Sequence, residues 1–289
     1  MIGVSIDKLR SVVPTDKESH SASLQYMHSL IGEEDKKKYK FWKTLHNTKA
    51  SMPIDGGQSL HICAGISNKQ TYVAFEFNPA KFEPDSWSSL GCALECMLIS
   101  GYETFYETGR TRRIDFALDF PGVCIDDVRI LNQRLNPYNH DLEKLGSFYL
   151  GSKQSSKHFI AYDKAKEIQA KGGACSHKEL YRIEARLCQS FRLWEIEKLS
   201  NPFLDLIVID RKRLLKEPTT KISQALGYSI KSGIGIQKQF LSLPKAQRVE
   251  TAHLLMAYQP SWWNPVDCWQ QCITQAINLH PALVEQQLA

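Results

Sequence analysis

Thr111-Arg112-Arg113-Ile114-Asp115-Phe116-Ala117-Leu118-Asp119-Phe120 alternates apolar and polar side chains over most of its length. Successive side chains of a β-strand point to opposite faces, so a period of two marks a strand with one face in the core. Ile114, Phe116, Leu118 and Phe120 then form the core face, and Arg113, Asp115, Ala117 and Asp119 share the other. Three further stretches read the same way. Residues 72–78 carry Tyr72, Ala74, Glu76 and Asn78 on one face, residues 158–164 carry His158, Ile160, Tyr162 and Lys164, and residues 181–187 carry Arg182, Glu184 and Arg186. If these strands pair in one sheet, Glu76, Asp115, Asp119, Tyr162, Lys164 and Glu184 share a surface with several arginines. An antiparallel sheet with one face in water alternates in the same way, so the pattern alone leaves two readings open, a reactive surface and a solvated one.

Working outward, residues 59–67 and 70–78 read as a hairpin around Asn68-Lys69, preceded by a turn at Gly56-Gly57. Pro84-Asp85-Ser86 opens a helical pattern to about residue 101, with Leu90, Leu94, Met97 and Leu98 on its apolar side. Residues 125–135 are expected to be helical, residues 148–151 and 157–164 form a second hairpin, and residues 180–187 form a strand. Residues 1–20 are mixed and are expected to be partly mobile, residues 21–46 look helical, and helical stretches predominate toward the end of the chain. The expected fold is α+β, an antiparallel or mixed sheet with flanking helices followed by a mostly helical region. Segment boundaries are expected at 1–55, 56–195 and 196–289.

The 289 residues, 43% of them hydrophobic, are enough for one sizeable core or a core with an appended domain. The net charge of +5 suits a polyanionic partner without requiring one. None of the eight cysteines forms a CxxC pair, so a zinc site is not expected. Cys92/Cys96 and Cys268/Cys272 have the i,i+4 spacing of small core residues on helices. Asp7, Lys8 and Arg10 interrupt the first apolar residues, and no apolar run is long enough to span a membrane. A cytoplasmic protein with free thiols is the resulting expectation.

Carboxylates beside a lysine and arginines suit phosphodiester chemistry, because two carboxylates can hold Mg²⁺ or Mn²⁺ through hard oxygen ligands. A protonated tyrosine is a poor nucleophile, and a nearby lysine and a divalent cation favour its phenolate. Other features carry a functional and a plain structural reading together. His158 could contact phosphate or serve as a hydrogen-bonded structural residue. Lys36–Lys43 interleaves lysines with aromatics, as single-strand binding surfaces and solvated helix faces both do. Arg211, Lys212 and Arg213 could contact backbone phosphates or simply open a basic helix. Trp262-Trp263 reads better as a packed junction than as a stacking site. Tyr149 and Tyr181 are rival nucleophiles, but Tyr181 falls on the apolar face of its strand and Tyr149 has no lysine two residues on.

Three segments resemble the gene II replication proteins of filamentous phages and, more loosely, the Rep_trans plasmid initiators and related relaxases. They are Arg112-Arg113-Ile114-Asp115-Phe116-Ala117; Phe148-Tyr149-Leu150-Gly151-Ser152-Lys153 followed by Phe159-Ile160-Ala161-Tyr162-Asp163-Lys164; and Tyr181-Arg182-Ile183-Glu184-Ala185-Arg186-Leu187. Phe75-Glu76-Phe77-Asn78 is a weaker fourth match. The resemblance spans about residues 59–195, and the order of the motifs agrees. It implies rolling-circle initiation by site-specific nicking and rejoining through a 5′-phosphotyrosine, with Tyr162 as nucleophile and Lys164 as its electrostatic helper. Asp115 and Glu184 are implied as metal-site carboxylates, with Asp119 and Glu76 as further candidates and Mg²⁺ or Mn²⁺ as the ion. A paired-histidine metal motif is absent from the sequence. The implied partner is origin DNA, single-stranded or supercoiled, in a bacterial cytoplasm, with host helicase or polymerase as further partners and no membrane. Arg113, Lys153, Lys157, His158, Arg182, Arg186, Arg211, Lys212 and Arg213 are the candidate DNA contacts. A conjugative relaxase of the same chemistry and a non-catalytic DNA-binding protein of the same fold stay open beside this reading.

Overall fold

The structure is a computed structural model that describes residues 2–29, 40–43, 47–54, 58–136, 147–152, 155–232 and 235–279. Lys36–Tyr39, Gly56-Gly57 and Lys153 lie outside the described residues. The fold is α+β, and its elements group into two compact units, each assembled from separated parts of the chain.

One unit holds residues 5–115 and 187–199, with the chain from 272 onward. Its elements are β1 (Gly3–Thr15), α1 (Lys17–Ser29), β2 (Lys40–Lys43), β3 (Asn47–Ile54), β4 (Gln58–Ser67), β5 (Gln70–Phe77), α2 (Pro84–Met97), α3 (Gly101–Thr108) and the first half of β6 (Arg110–Pro121). The strands lie in the order β2-β3-β4-β5-β1-β6. The β2/β3, β3/β4, β4/β5 and β5/β1 pairs are antiparallel. The expected hairpin closes β4 to β5, with Asn68 and Lys69 at φ +50° and +65°. Two consecutive left-handed residues give a turn whose twist matches that of its strands. One sheet face is core, with Leu9, Val13, Leu60, Ile62, Phe75 and Phe77 at most 2% exposed. Helices cover it, as the Phe75–Phe105 and Phe77–Trp87 ring contacts show. Leu90, Leu94, Met97 and Leu98 are buried as their spacing predicts. Cys92 and Cys96 are exposed instead of buried, because they fall outside the stripe formed by Leu90, Ala93, Leu94 and Met97.

The other unit holds residues 116–186 and 200–271, with residues 1–4. The second half of β6, β10 (Leu180–Leu187), β9 (Lys157–Asp163) and β8 (Phe148–Leu150) lie in that order, with β8 and β9 antiparallel. A separate antiparallel ribbon pairs β7 (Val128–Asn132) with β11 (Leu206–Asp210). Helix α4 (Lys164–Ala170) follows β9. Helices α5 (Arg211–Lys216), α6 (Thr220–Ser232), α7 (Ile236–Ser242) and α8 (Lys245–Met256) gather on the ribbon around Leu131, Ile209, Leu226, Phe240 and Leu255. Trp262 and Trp263, just before α9 (Pro265–Ile277), pack on Phe120 with ring centroids at 4.5 and 6.0 Å. This is the packed-junction reading of that pair.

Three sequence expectations fail here. Within the stretch 21–46, expected to be helical, α1 ends at Ser29 and Lys40–Lys43 form strand β2, paired with β3. Residues 1–20 contain a central strand, β1, and not merely an irregular segment. Ile6 and Leu9 are both buried although three residues apart, so burial shifts phase within the strand and a strict period of two does not register. Residues 125–135 form one 3₁₀ turn and then β7, not a helix. All five residues of β7 are buried, and a strand covered on both faces shows no alternation to separate it from a buried helix.

The β8/β9 hairpin that presents Tyr162 turns at Gly151, whose φ is +83°. A Cβ there would lie 2.7 Å from the Lys157 carbonyl oxygen. Gly151→Ala is therefore expected to destabilise the protein by about 1–3 kcal/mol, read from urea unfolding, whereas Ala at Gly91, where a Cβ meets nothing within 4 Å, should not.

Candidate active site around Tyr162

Alternation along β9 places Tyr162 on the half-buried face of that strand, and alternation along β10 places Glu184 opposite it. The phenol Oη donates to Glu184 Oε1 at 2.6 Å. Burial is the largest influence on the phenol and raises its pKa. The charge of Glu184 and its hydrogen bond push in the same direction, and the Arg182 guanidinium pulls weakly the other way. At rest this tyrosine is a neutral phenol whose proton already points at a carboxylate. Tyr149, on β8 opposite Ile160, also feels Glu184, and burial followed by that charge raises its pKa too.

Lys164 does not extend the strand. β9 ends at Asp163, whose side chain accepts from the Lys166 backbone N–H at 3.0 Å and so caps α4. Lys164 is thus the first residue of a helix, with its Nζ 5.8 Å from the centre of the Tyr162 ring and ion-paired with Glu167. Glu167 also pairs with Lys171. Burial works to raise the Glu167 pKa, but its two lysines hold it below the usual carboxylate range. Glu167 was not singled out from the sequence. Recognising Asp163 as a helix cap would have revealed it, because a helix puts i+3 and i+4 partners on one face.

The remaining carboxylates are each matched to a cation. Asp119 accepts two bonds from Arg182, Nε to Oδ1 at 2.7 Å and Nη2 to Oδ2 at 2.6 Å. In the other unit, Asp115 accepts two from Arg113, at 2.8 and 2.5 Å, and is 4% exposed. Glu76 Oε1 accepts from Lys8 Nζ at 2.9 Å. Burial works to raise the Glu76 pKa, but Lys8, Arg113 and Arg10 together hold it low. Within each unit, then, Asp119 on one side and Asp115 and Glu76 on the other already have a cation on their oxygens. Among the described residues no group of three or more His, Cys, Asp and Glu side chains gathers where a metal could be held. The Mg²⁺ or Mn²⁺ site expected from the sequence does not fit these side chains as they are arranged.

Most candidate DNA contacts have internal partners. His158 is 2% exposed and donates from Nδ1 to the Gly151 carbonyl at 2.6 Å. Lys157 pairs with Asp205 at 3.1 Å, and Lys212 with Asp127 at 2.5 Å. Arg211 bonds the carbonyls of Ile230 and Lys231 at the end of α6, and the Arg213 guanidinium sits 5.8 Å from the Tyr258 ring centre. Arg182 and Arg186 lie on β10, Arg182 buried and Arg186 half-buried.

No family model and no curated protein matches the sequence. Among solved structures, the fold is similar to a rolling-circle replication initiator protein from Geobacillus stearothermophilus. The TM-score is 0.40 and the identity 13%, over 90% of this chain and all of that one.

Tyr102, Tyr162 and Tyr181 all have pKa values raised chiefly by burial. In an ultraviolet titration of the folded protein these three phenols should stay protonated where an ordinary phenol ionises, near about pH 10. All eleven tyrosines should titrate together near that value in denaturant. Tyr162→Phe should remove one late-titrating phenol. Because the folded pKa lies above the unfolded one, the stabilisation from Tyr162 is complete below about pH 10 and is lost as pH climbs through the folded value.

Proposed function

We propose that this chain is a rolling-circle replication initiator that nicks and rejoins one strand of DNA, with Tyr162 as its nucleophile and Glu184 as the acceptor of its proton. The observation that carries the reading is the 2.6 Å hydrogen bond from Tyr162 Oη to Glu184 Oε1. The ordered motifs around Asp115, Tyr162 and Glu184 support it.

The chemistry follows from that bond. Oη attacks a backbone phosphorus, the Oη–P bond forms, and the P–O3′ bond breaks. The phenolic proton passes to Glu184, the departing 3′ oxygen takes a proton from water and becomes the 3′-hydroxyl primer, and the hydroxide left is neutralised by the proton that Glu184 releases. One phosphoester replaces another, so attack by a 3′-hydroxyl on the phosphotyrosine reverses the step and seals the strand. A phenol held neutral at rest needs this base, because direct ionisation near pH 7 would oppose both burial and the Glu184 charge. Lys164, over the ring, and Arg182, felt at the phenol, supply positive charge while negative charge builds at the phosphate.

The test uses a degenerate pool of single-stranded DNA labelled at the 3′ end, incubated with the full chain and with Mn²⁺ or Mg²⁺ present. A labelled covalent adduct is expected on a denaturing gel. Tyr162→Phe should abolish it, and Glu184→Gln should slow its formation about 10²–10⁴-fold. An adduct that persists in Tyr162→Phe moves the nucleophile elsewhere, with Tyr149 first to examine. No adduct from any sequence in the pool would favour a non-catalytic DNA-binding protein.

A further inference from the structure

A cleft of about 460 Å³ opens on the sheet of the unit that contains β1 and β5. Its lining comes from three places in the fold. Arg10, Val12 and Pro14 come from β1, Arg110 and Arg112 from β6, and Ser67, Asn68, Gln70 and Tyr72 from the β4/β5 hairpin. The strand register puts these elements side by side, with Pro14 opposite Tyr72 and Ser67 opposite Gln70. The lining therefore carries three guanidinium groups and no carboxylate.

The state of these arginines sets them apart. Arg113, Arg182 and Arg129 are committed to carboxylates or carbonyls. Arg10, Arg110 and Arg112 are exposed, and the side chains of Arg110 and Arg112 make no hydrogen bond or ion pair among the described residues. Arg10 lies opposite Glu76 in the register, but Glu76 is bonded to Lys8. Arg110 and Arg112 stand two residues apart on one strand, so their Cα atoms are about 6.6 Å apart. The charges are spread over two neighbouring strands, two on β6 and one on β1, an extended array that suits several linked anions. Beside them are the small polar groups Ser67, Asn68 and Gln70, which can reach sugar and base edges, and the half-exposed Tyr72 and Val12, against which a base or sugar can lie.

We propose that this cleft is a docking track for a single strand of DNA, with Arg10, Arg110 and Arg112 on successive phosphates and Tyr72 against a base or sugar. The choice of DNA rests on the replication reading above; the demand for a repeating polyanion rests on the cleft alone. Arg10 also lines a smaller neighbouring cleft with Lys49, His61 and the Lys8-paired Glu76, which gives the strand a direction in which to continue.

The experiment measures binding of a fluorescein-labelled oligothymidylate by the full chain as a function of salt. Each phosphate neutralised on a single strand contributes about 0.7 to the slope of log affinity against log salt, so Arg10→Ala/Arg110→Ala/Arg112→Ala should lower that slope by about 2. The corresponding triple lysine variant keeps the charges and should retain most of the slope, with thermal unfolding checking that both variants fold. An unchanged slope in the alanine variant overturns the proposal, and so does an equal loss in the lysine variant. Inorganic phosphate that displaces the oligonucleotide at matched ionic strength would reduce the cleft to a single-anion site. Polyglutamate that competes as well as oligothymidylate would indicate an acidic protein partner in place of DNA. Adduct formation is scored separately. A protein with no adduct but an arginine-dependent slope keeps the track and loses the nickase reading, whereas adduct formation with an unchanged slope does the reverse.

Discussion

Strand β6 runs through the interior from Ile114 to Leu118 with every residue buried, yet it carries Asp115 in that stretch and Asp119 just beyond. A carboxylate taken out of water loses several kcal/mol of hydration unless it is paired and hydrogen-bonded. The sequence meets that demand twice in the same way. Arg113 bonds both oxygens of Asp115 from the same strand, and Arg182 bonds both oxygens of Asp119 from β10. The planar guanidinium matches the carboxylate with two parallel bonds, which a lysine cannot do. Asp115 is thereby matched to a neighbour on its own strand, and Asp119 ties β6 to β10.

The same constraint shapes Tyr162. A half-buried phenol needs a hydrogen-bond partner, and Glu184 supplies one that is charged. That partner raises the cost of ionising the tyrosine and at the same time gives its proton somewhere to go. In isolation the two effects oppose each other. In the proposed reaction they reconcile when the proton moves as the oxygen attacks, as general-base catalysis requires. Lys164 sits over the ring and is ion-paired with Glu167, and the charge of Glu167 adds to the influences that keep the phenol protonated.

Much of this fold was legible in the sequence because its strands obey simple rules. β4 and β5, β6, β9 and β10 all show alternation, and the Asn68-Lys69 turn and the cap region of α2 mark their own boundaries. β1 and β7 were not legible. β1 shifts its burial phase at Ile6 and Leu9, and β7 is covered on both faces, so neither shows a strict period of two. At the site, Tyr162, Glu184, Arg182 and Asp119 share a face as alternation requires. Their pairing was not legible, because which oxygen meets which proton depends on register between strands far apart in the chain.

Charge patterning misleads for a related reason. The basic residues most conspicuous in the sequence are those near acidic or helical motifs, such as Arg113, Arg182 and Arg211–Arg213, and proximity to such motifs is what gives a cation an internal partner. Arg211 satisfies carbonyls at the end of α6 and Lys212 meets Asp127. Arg110 and Arg112 stay in solvent without an ion pair among the described residues, and the exposed Arg10 beside them shares Glu76 with Lys8 and Arg113. In a chain with a net charge of only +5, the location of unspent charge says more about a polyanionic partner than the total does. That location is the cleft beside β1, β5 and β6, where Arg10 and Arg110 fall outside every motif and Arg112 is only the flank of one.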